Sequence, residues 1–220
     1  MHIPDGFLNT GVSIAAWAAS AAGLGYALRR VNKTLGERQV PLMGVTAAFI
    51  FAAQMLNFAV IGGTSGHLLG AALAAILLGP WAGMLVLTSV NVVQALLFQD
   101  GGLLALGANV FNMALVGVLV GWAAYAVLIR LLGGRKWAIF AGGFLAGWLS
   151  AELAALATAA ELAISGTLAW QVVLPAMGGI YALIGIGEGL ITAAVLAFLR
   201  VVRPDLLTLS QAARSSEESP

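Results

Sequence analysis

The sequence contains no cysteine, and that single absence removes disulfides, thiolate metal sites and thiol nucleophiles together. Charge is nearly as scarce. Only 9% of the 220 residues are Asp, Glu, Lys or Arg, whereas a soluble domain carries roughly 25% because its surface must meet water. With 61% of the chain apolar, the surface must face lipid instead. The net charge is +1 and no basic run carries interleaved aromatics, which leaves no basis for a nucleic-acid partner. No G-x-x-x-x-G-K-[ST] loop occurs. Gly133-Gly134-Arg135-Lys136-Trp137 lacks both the spacing and the hydroxyl, so the chain cannot hydrolyse ATP itself. There is no H-E-x-x-H, and the whole chain holds two histidines, His2 and His67.

What is present is apolar length. Seven segments stand out, at about 11–28, 41–61, 66–79, 81–98, 103–129, 137–163 and 170–199. Most exceed the roughly 17–20 residues that span a hydrocarbon core. The third is short and ends at the Gly79-Pro80 breaker. Parity is settled by the basic residues. With seven crossings and the N-terminus outside, the cytoplasmic segments hold Arg29, Arg30, Lys33 and Arg38, then Arg130, Arg135 and Lys136, then Arg200, Arg203 and Arg214. That accounts for all ten Lys and Arg and satisfies the positive-inside rule. A single crossing over 66–98 would put the second cluster outside, so 66–79 is expected to cross, with its irregular backbone satisfied by other helices or a cavity. The expected architecture is all-α: a polytopic bundle of about seven transmembrane helices in a prokaryotic cell membrane. Residues 1–203 form one domain and 204–220 a polar cytoplasmic tail. The opening M-H-I-P-D-G has no basic region of a secretory signal. No internal repeat marks an inverted-repeat carrier.

A histidine in second position has a specific chemistry. The α-amine of Met1, the backbone nitrogen of His2 and the His2 imidazole Nδ1 can close fused five- and six-membered chelate rings on one ion, nearly in a plane. A fourth nitrogen completes a square, and His67, in the loop G-G-T-S-G-H, is the only other imidazole available. Square-planar nitrogen points to Ni(II), Cu(II) or strong-field Co(II) and away from tetrahedral Zn(II). Pro4 biases Ile3 toward an extended backbone, and Pro4-Asp5-Gly6 reads as a turn that folds the first residues back toward the bundle.

The motifs M-H-I-P-D-G (1–6), G-G-T-S-G-H-L-L-G (62–70) and F-Q-D-G-G-L-L-A-L-G-A-N-V-F-N-M-A (98–114) resemble the CbiM/NikM family, the substrate-binding S components of energy-coupling factor transporters for cobalt and nickel. The resemblance implies a metal held by Met1, His2 and His67, with the N-terminus plugged into a seven-helix bundle. It implies Ni²⁺ or Co²⁺ as cargo and no cofactor. It also implies a transmembrane coupling subunit, two cytoplasmic ATP-binding subunits and a small accessory membrane subunit as partners. The first motif begins at the initiator methionine, so no signal cleavage is expected to be needed to expose the amine.

Amides recur at i, i+3 spacing as Gln54/Asn57, Asn91/Gln94 and Asn109/Asn112, each pair expected on one helix face. Interhelical glue at about 0.6 kcal/mol per contact is the plainer role. Asp5, Asn57, Gln94, Asn109 and Asn112 are candidates for orienting the folded-in N-terminus. Asp100 could draw cations. Glu152 and Glu188 fall near mid-membrane and Glu161 near the outer mouth, where a carboxylate is a functional candidate. The small residues Ala15, Ala16, Ala18, Ala19, Ala21, Ala22, Gly23 and Gly25 suit close packing, within the chain or against a partner. Two rival readings remain: a stand-alone proton-coupled metal carrier using Glu152 or Glu188, and an intramembrane metallohydrolase. A filled square of nitrogens leaves the second no activated water.

Overall fold

Apolar runs uninterrupted by turn residues satisfy their backbone internally as helices, and this chain does so in a computed structural model that describes residues 1–34, 36, 39–60, 64–132 and 136–207. The helices are α1 (Thr10–Thr34), α2 (Gln39–Gln54), α3 (Ala71–Leu78), α4 (Pro80–Leu97), α5 (Leu106–Val110), α6 (Gly117–Leu131), α7 (Lys136–Ile164) and α8 (Trp170–Val202). A π-helical stretch, Phe111–Val116, joins α5 to α6. A two-strand antiparallel hairpin, β1 (Phe58–Val60) and β2 (Thr64–Gly66), follows α2. Among the described residues five helical spans are long and apolar enough to cross a membrane, at Thr10–Thr34, Pro80–Phe98, Leu106–Leu131, Trp137–Ile164 and Trp170–Val202. The fold is an all-α membrane bundle, and the protein is a multi-pass membrane protein.

Two of the expected segments take another form. The run 41–61 is helical only to Gln54, because Phe58 and Val60 favour extended backbone and find strand partners in Ser65 and its neighbours. Asn57 therefore does not share a helix face with Gln54. The run 66–79 is a composite: an irregular stretch, 67–70, then α3, whose eight residues are all buried.

Irregular backbone inside the bundle needs partners, and two helices, α2 and α8, supply them. The Glu188 carboxylate accepts the Leu69 N–H at 2.8 Å and the Gly70 N–H at 2.5 Å. Gln54 Nε2 donates to the Leu69 carbonyl at 2.7 Å, and Tyr181 donates to the Ser65 carbonyl at 2.8 Å. Gly70 has φ +75°, and a Cβ there would lie 2.7 Å from Ile50. The α3–α4 hairpin turns at Gly79-Pro80 and packs so closely that a Cβ on Gly83 would meet the Ala74–Ala75 backbone at 3.2 Å. Glu188 is thus an anchor. Glu188→Ala should leave two buried N–H groups unpaired, each costing about 1–3 kcal/mol. We expect a clear drop in thermal midpoint of the detergent-solubilised protein; an unchanged midpoint would remove Glu188 from this role.

The long hairpin of α7 and α8 depends on glycine contacts: a Cβ on Gly189 would meet the Phe144 carbonyl oxygen at 2.6 Å. On α1, Ala16, Ser20 and Ala27 face inward, and Ser20 Oγ donates to the Gly107 carbonyl at 2.6 Å, so part of the small-residue face packs within the chain. Ala15, Ala18, Ala21, Ala22 and Gly25 remain exposed. Most of the polar tail, 208–220, lies outside the described residues, as do Arg38 and Arg135.

Candidate metal centre

The first three residues of the chain lie inside the bundle. Met1 and Ile3 are fully buried and His2 is 3% exposed. The Pro4-Asp5-Gly6 turn makes this possible, with Gly6 at φ +85°. Ile3 is held like a strand residue: its N–H donates to Asn109 Oδ1 at 2.7 Å, and its carbonyl accepts from Asn109 Nδ2 at 3.2 Å and from the Gly102 N–H at 2.9 Å. Asp5 ties the turn down from outside, accepting the N–H groups of Leu103, Leu104 and Ala105 just before α5. Gly101 and Gly102 are small because a side chain there would strike Asn109 and Asp5.

The Met1 amine donates to Tyr181 Oη at 2.9 Å and faces Ser65 Oγ at 3.3 Å. The Tyr181 proton is already given to the Ser65 carbonyl, so the phenol oxygen accepts from the amine. Burial pushes the amine down to about 4, partly opposed by the Asp100 charge. A neutral amine with both N–H groups directed at these oxygens keeps its lone pair for another partner.

The state of the His2 ring follows from a chain of amides. The Leu69 carbonyl can only accept, so the end of Gln54 facing it is Nε2. Gln54 Oε1 then accepts from Gln94 Nε2 at 2.9 Å, which turns Gln94 Oε1 toward His2 Nε2 at 3.1 Å. Asn91 Oδ1 faces the same nitrogen at 3.2 Å. His2 Nε2 therefore carries a proton, and Nδ1 is the nitrogen that can bind an ion. It lies 3.5 Å from Ser65 Oγ, which also contacts the amine, and 3.2 Å from Asp100 Oδ1. Among the described residues the His2 backbone nitrogen meets no hydrogen-bond acceptor.

His67 is not a surface-loop residue. It is 1% exposed, and its ring stacks on His2 with centroids 4.7 Å apart. Its Nδ1 faces the Leu68 carbonyl at 2.8 Å and must donate, which leaves the Nε2 lone pair. That atom is buried and has no hydrogen-bond partner among the described residues. Also among them, no three His, Asp or Glu side chains gather into a metal cage.

Met1, His2 and His67 are thus brought together, with Gln94 and Asn109 beside them and Asp5 anchoring the turn. Two expected orienting residues make no hydrogen bond to Met1, His2 or His67 among the described residues. Asn57 is exposed past the end of α2 and donates to Asp100 Oδ2 at 3.1 Å. Asn112 donates to Glu161 at 2.6 Å. Glu152, half-buried on α7, has an Oε2 with no partner among the described residues. Sequence reasoning missed Tyr181 and Ser65. A lone tyrosine within the apolar run of α8 is the signal that could have found Tyr181.

Known proteins share this architecture. The family described as cobalt uptake substrate-specific transmembrane region matches residues 2–206. A chain of Archaeoglobus fulgidus described as a fused nickel transport protein, NikMN, is 45% identical over 209 residues, covering 94% of this chain and 68% of its own. The cobalt transport protein CbiM 1 of Pelobacter propionicus is 36% identical over 220 residues, covering 96% of each. The crystal structure of a transition metal transporter superposes with a TM-score of 0.86 at 37% identity, covering 92% of this chain and 93% of that one. A match over nearly the whole chain, to proteins sharing both its sequence and its helix arrangement, makes this protein a member of the CbiM family of transition-metal transport proteins.

Proposed function

We propose that the chain is the substrate-binding membrane component of an ATP-driven importer of Ni²⁺ or Co²⁺. The ion is held in a square of nitrogens: the Met1 amine, the His2 backbone nitrogen, which gives up its proton to solvent as the ion binds, His2 Nδ1 and His67 Nε2. The observation that carries this reading is the buried His67 Nε2, without a partner among the described residues, on a ring stacked against His2 beside a desolvated amine. Nitrogen lone pairs with no proton donor to engage them are what a borderline cation selects. The named functions of the relatives, nickel and cobalt transport, agree with that donor set. Energy would come from partners: a transmembrane coupling subunit, two ATP-binding subunits and a small accessory membrane subunit. The direct test is the nickel-loaded protein. A yellow diamagnetic species is the expected result; a paramagnetic one would rule out the square.

A proton-coupled carrier is the other reading. Glu188, one of its two candidate carboxylates, is engaged by two backbone N–H groups, which leaves Glu152 to carry a proton. Metal-dependent growth of cells lacking the ATPase partners separates the two. The ATP-driven reading expects no growth.

Two further outcomes follow. The Met1 amine, pushed from 8.0 to about 4, binds fewer protons when buried than when exposed between those values. Falling pH therefore weakens N-terminal docking progressively from 8 to 4, and protons take the amine lone pair itself only near 4. Equilibrium dialysis should show metal retained at pH 6 and released as pH drops through about 4; retention at pH 3 would exclude the amine as a ligand. Gln94→Leu removes the acceptor that fixes the His2 ring. Losses of such supporting partners typically cost about 10–100-fold in metal affinity. Calorimetry should find a loss of that order with the fold intact, and an unchanged affinity would exclude the amide chain from metal binding.

A further inference from the structure

Above the N-terminal plug lies a cavity of about 580 Å³, open to the outside and lined by His2, Asp5, Asn57, Ser65, Asp100 and Gly101 among others. It holds two carboxylates. Asp5 is fully engaged by three backbone N–H groups. Asp100 is not consumed in this way. Asn57 clamps its Oδ2 at 3.1 Å, and its own N–H is fixed to the Gln94 carbonyl at 3.1 Å, so the side chain is held in place. Its other oxygen, Oδ1, lies 3.2 Å from His2 Nδ1. The Asp100 side chain is 18% exposed and the His2 side chain 2%. The pair therefore bridges the wet cavity and the buried nitrogens.

Two donors bound side by side to one ion, with bonds of about 2.0–2.1 Å, sit about 3 Å apart. The spacing of Asp100 Oδ1 and His2 Nδ1 matches that. We infer that Asp100 and His2 Nδ1 form a docking pair that takes the hydrated divalent cation from the cavity before it passes to the Met1 amine and His67; the inference rests on the four-nitrogen reading above. A hydrated ion carries oxygen ligands, so a carboxylate oxygen is the natural first replacement for a water. Its negative charge concentrates cations at the cavity floor. Asp100 does not stay bound, because nitrogens fill the final square. Asp100 thereby governs the rate of loading and His2 the hand-over.

Rates separate this from a structural role. Stopped-flow mixing of the full-length protein with Ni²⁺ in lipid nanodiscs should give association about tenfold or more slower in Asp100→Ala, with dissociation changed less than about twofold. In the unaltered protein, association should slow as salt is raised through the range where the Debye length falls to about 10 Å and below. Three results would each overturn the proposal: an unchanged association rate, a loss confined to dissociation, or association in the unaltered protein that ignores salt. The last needs no variant to fold. The four-nitrogen reading fails differently, by normal equilibrium binding in an N-terminally extended form, so the two failures are distinguishable.

Discussion

Adding one residue before Met1 should abolish metal uptake, while the same tag after Pro220 should be tolerated. The amine is not at a loose end. It is fully buried, 2.9 Å from Tyr181 Oη and 3.3 Å from Ser65 Oγ. An extension has two consequences on this site. It converts the Met1 nitrogen from a basic amine, which binds a cation directly, into a second amide that could do so only by losing a proton. It also demands room where Tyr181 and Ser65 already stand. Moving Met1 outward would not help, since Asn109 and Gly102 fix Ile3 through its backbone. N-terminal acetylation tests the first consequence with the smallest addition. The measurement is nickel or cobalt uptake by cells carrying the partner subunits, with membrane levels matched and tag retention verified by mass. A solvated, uninvolved N-terminus predicts equal uptake from both tagged forms, and that result would end the four-nitrogen reading.

The parts of this site legible in the sequence are those where chemistry is tied to position. A histidine at residue 2 is a chelator by virtue of its neighbours in the chain, so Met1 and His2 could be read without any fold. His67 could be reached because it is the only other imidazole. Hydropathy likewise gave the long spans, because a helix is the only open-ended element that satisfies its own backbone in lipid. Asn57 and Asn112 leave their expected helix faces for one shared reason. Asn57 was placed by extending the α2 period three residues past Gln54, where strand pairing with β2 took over. Asn112 was placed with Asn109, but the intervening backbone switches to π-helix at Phe111 and the side chain goes to Glu161. Helical spacing predicts a shared face only while the helix stays regular. Tyr181, and the anchoring role of Glu188, which hydropathy marks only as an intramembrane carboxylate, are out of reach for another reason. Their roles depend on α8 meeting a non-helical stretch more than a hundred residues earlier, and no local pattern encodes that meeting.

Removing the His67 imidazole should cost more than removing any residue that merely supports the site. His67 supplies one of four proposed nitrogens, so its loss should exceed the roughly 10–100-fold typical of an orienting partner. The variant needs care, because His67 is buried and stacked on His2, so truncation to alanine also opens space. His67→Gln fills most of that space, and its side-chain oxygen is a harder ligand with a weaker field. Two readouts should therefore move together in His67→Gln and His67→Ala. Nickel affinity should fall more than about 100-fold, and any nickel still bound should be paramagnetic rather than diamagnetic, since three nitrogens and an oxygen or water no longer impose the strong planar field. Thermal stability separates packing from ligation. Point changes at buried sites commonly cost about 0.5–3 kcal/mol, and the glutamine form should lie at the low end while losing as much affinity as the alanine form. If His67→Gln keeps a diamagnetic nickel complex of unaltered affinity, the fourth nitrogen comes from elsewhere, and the buried Nε2 of His67 has some other purpose.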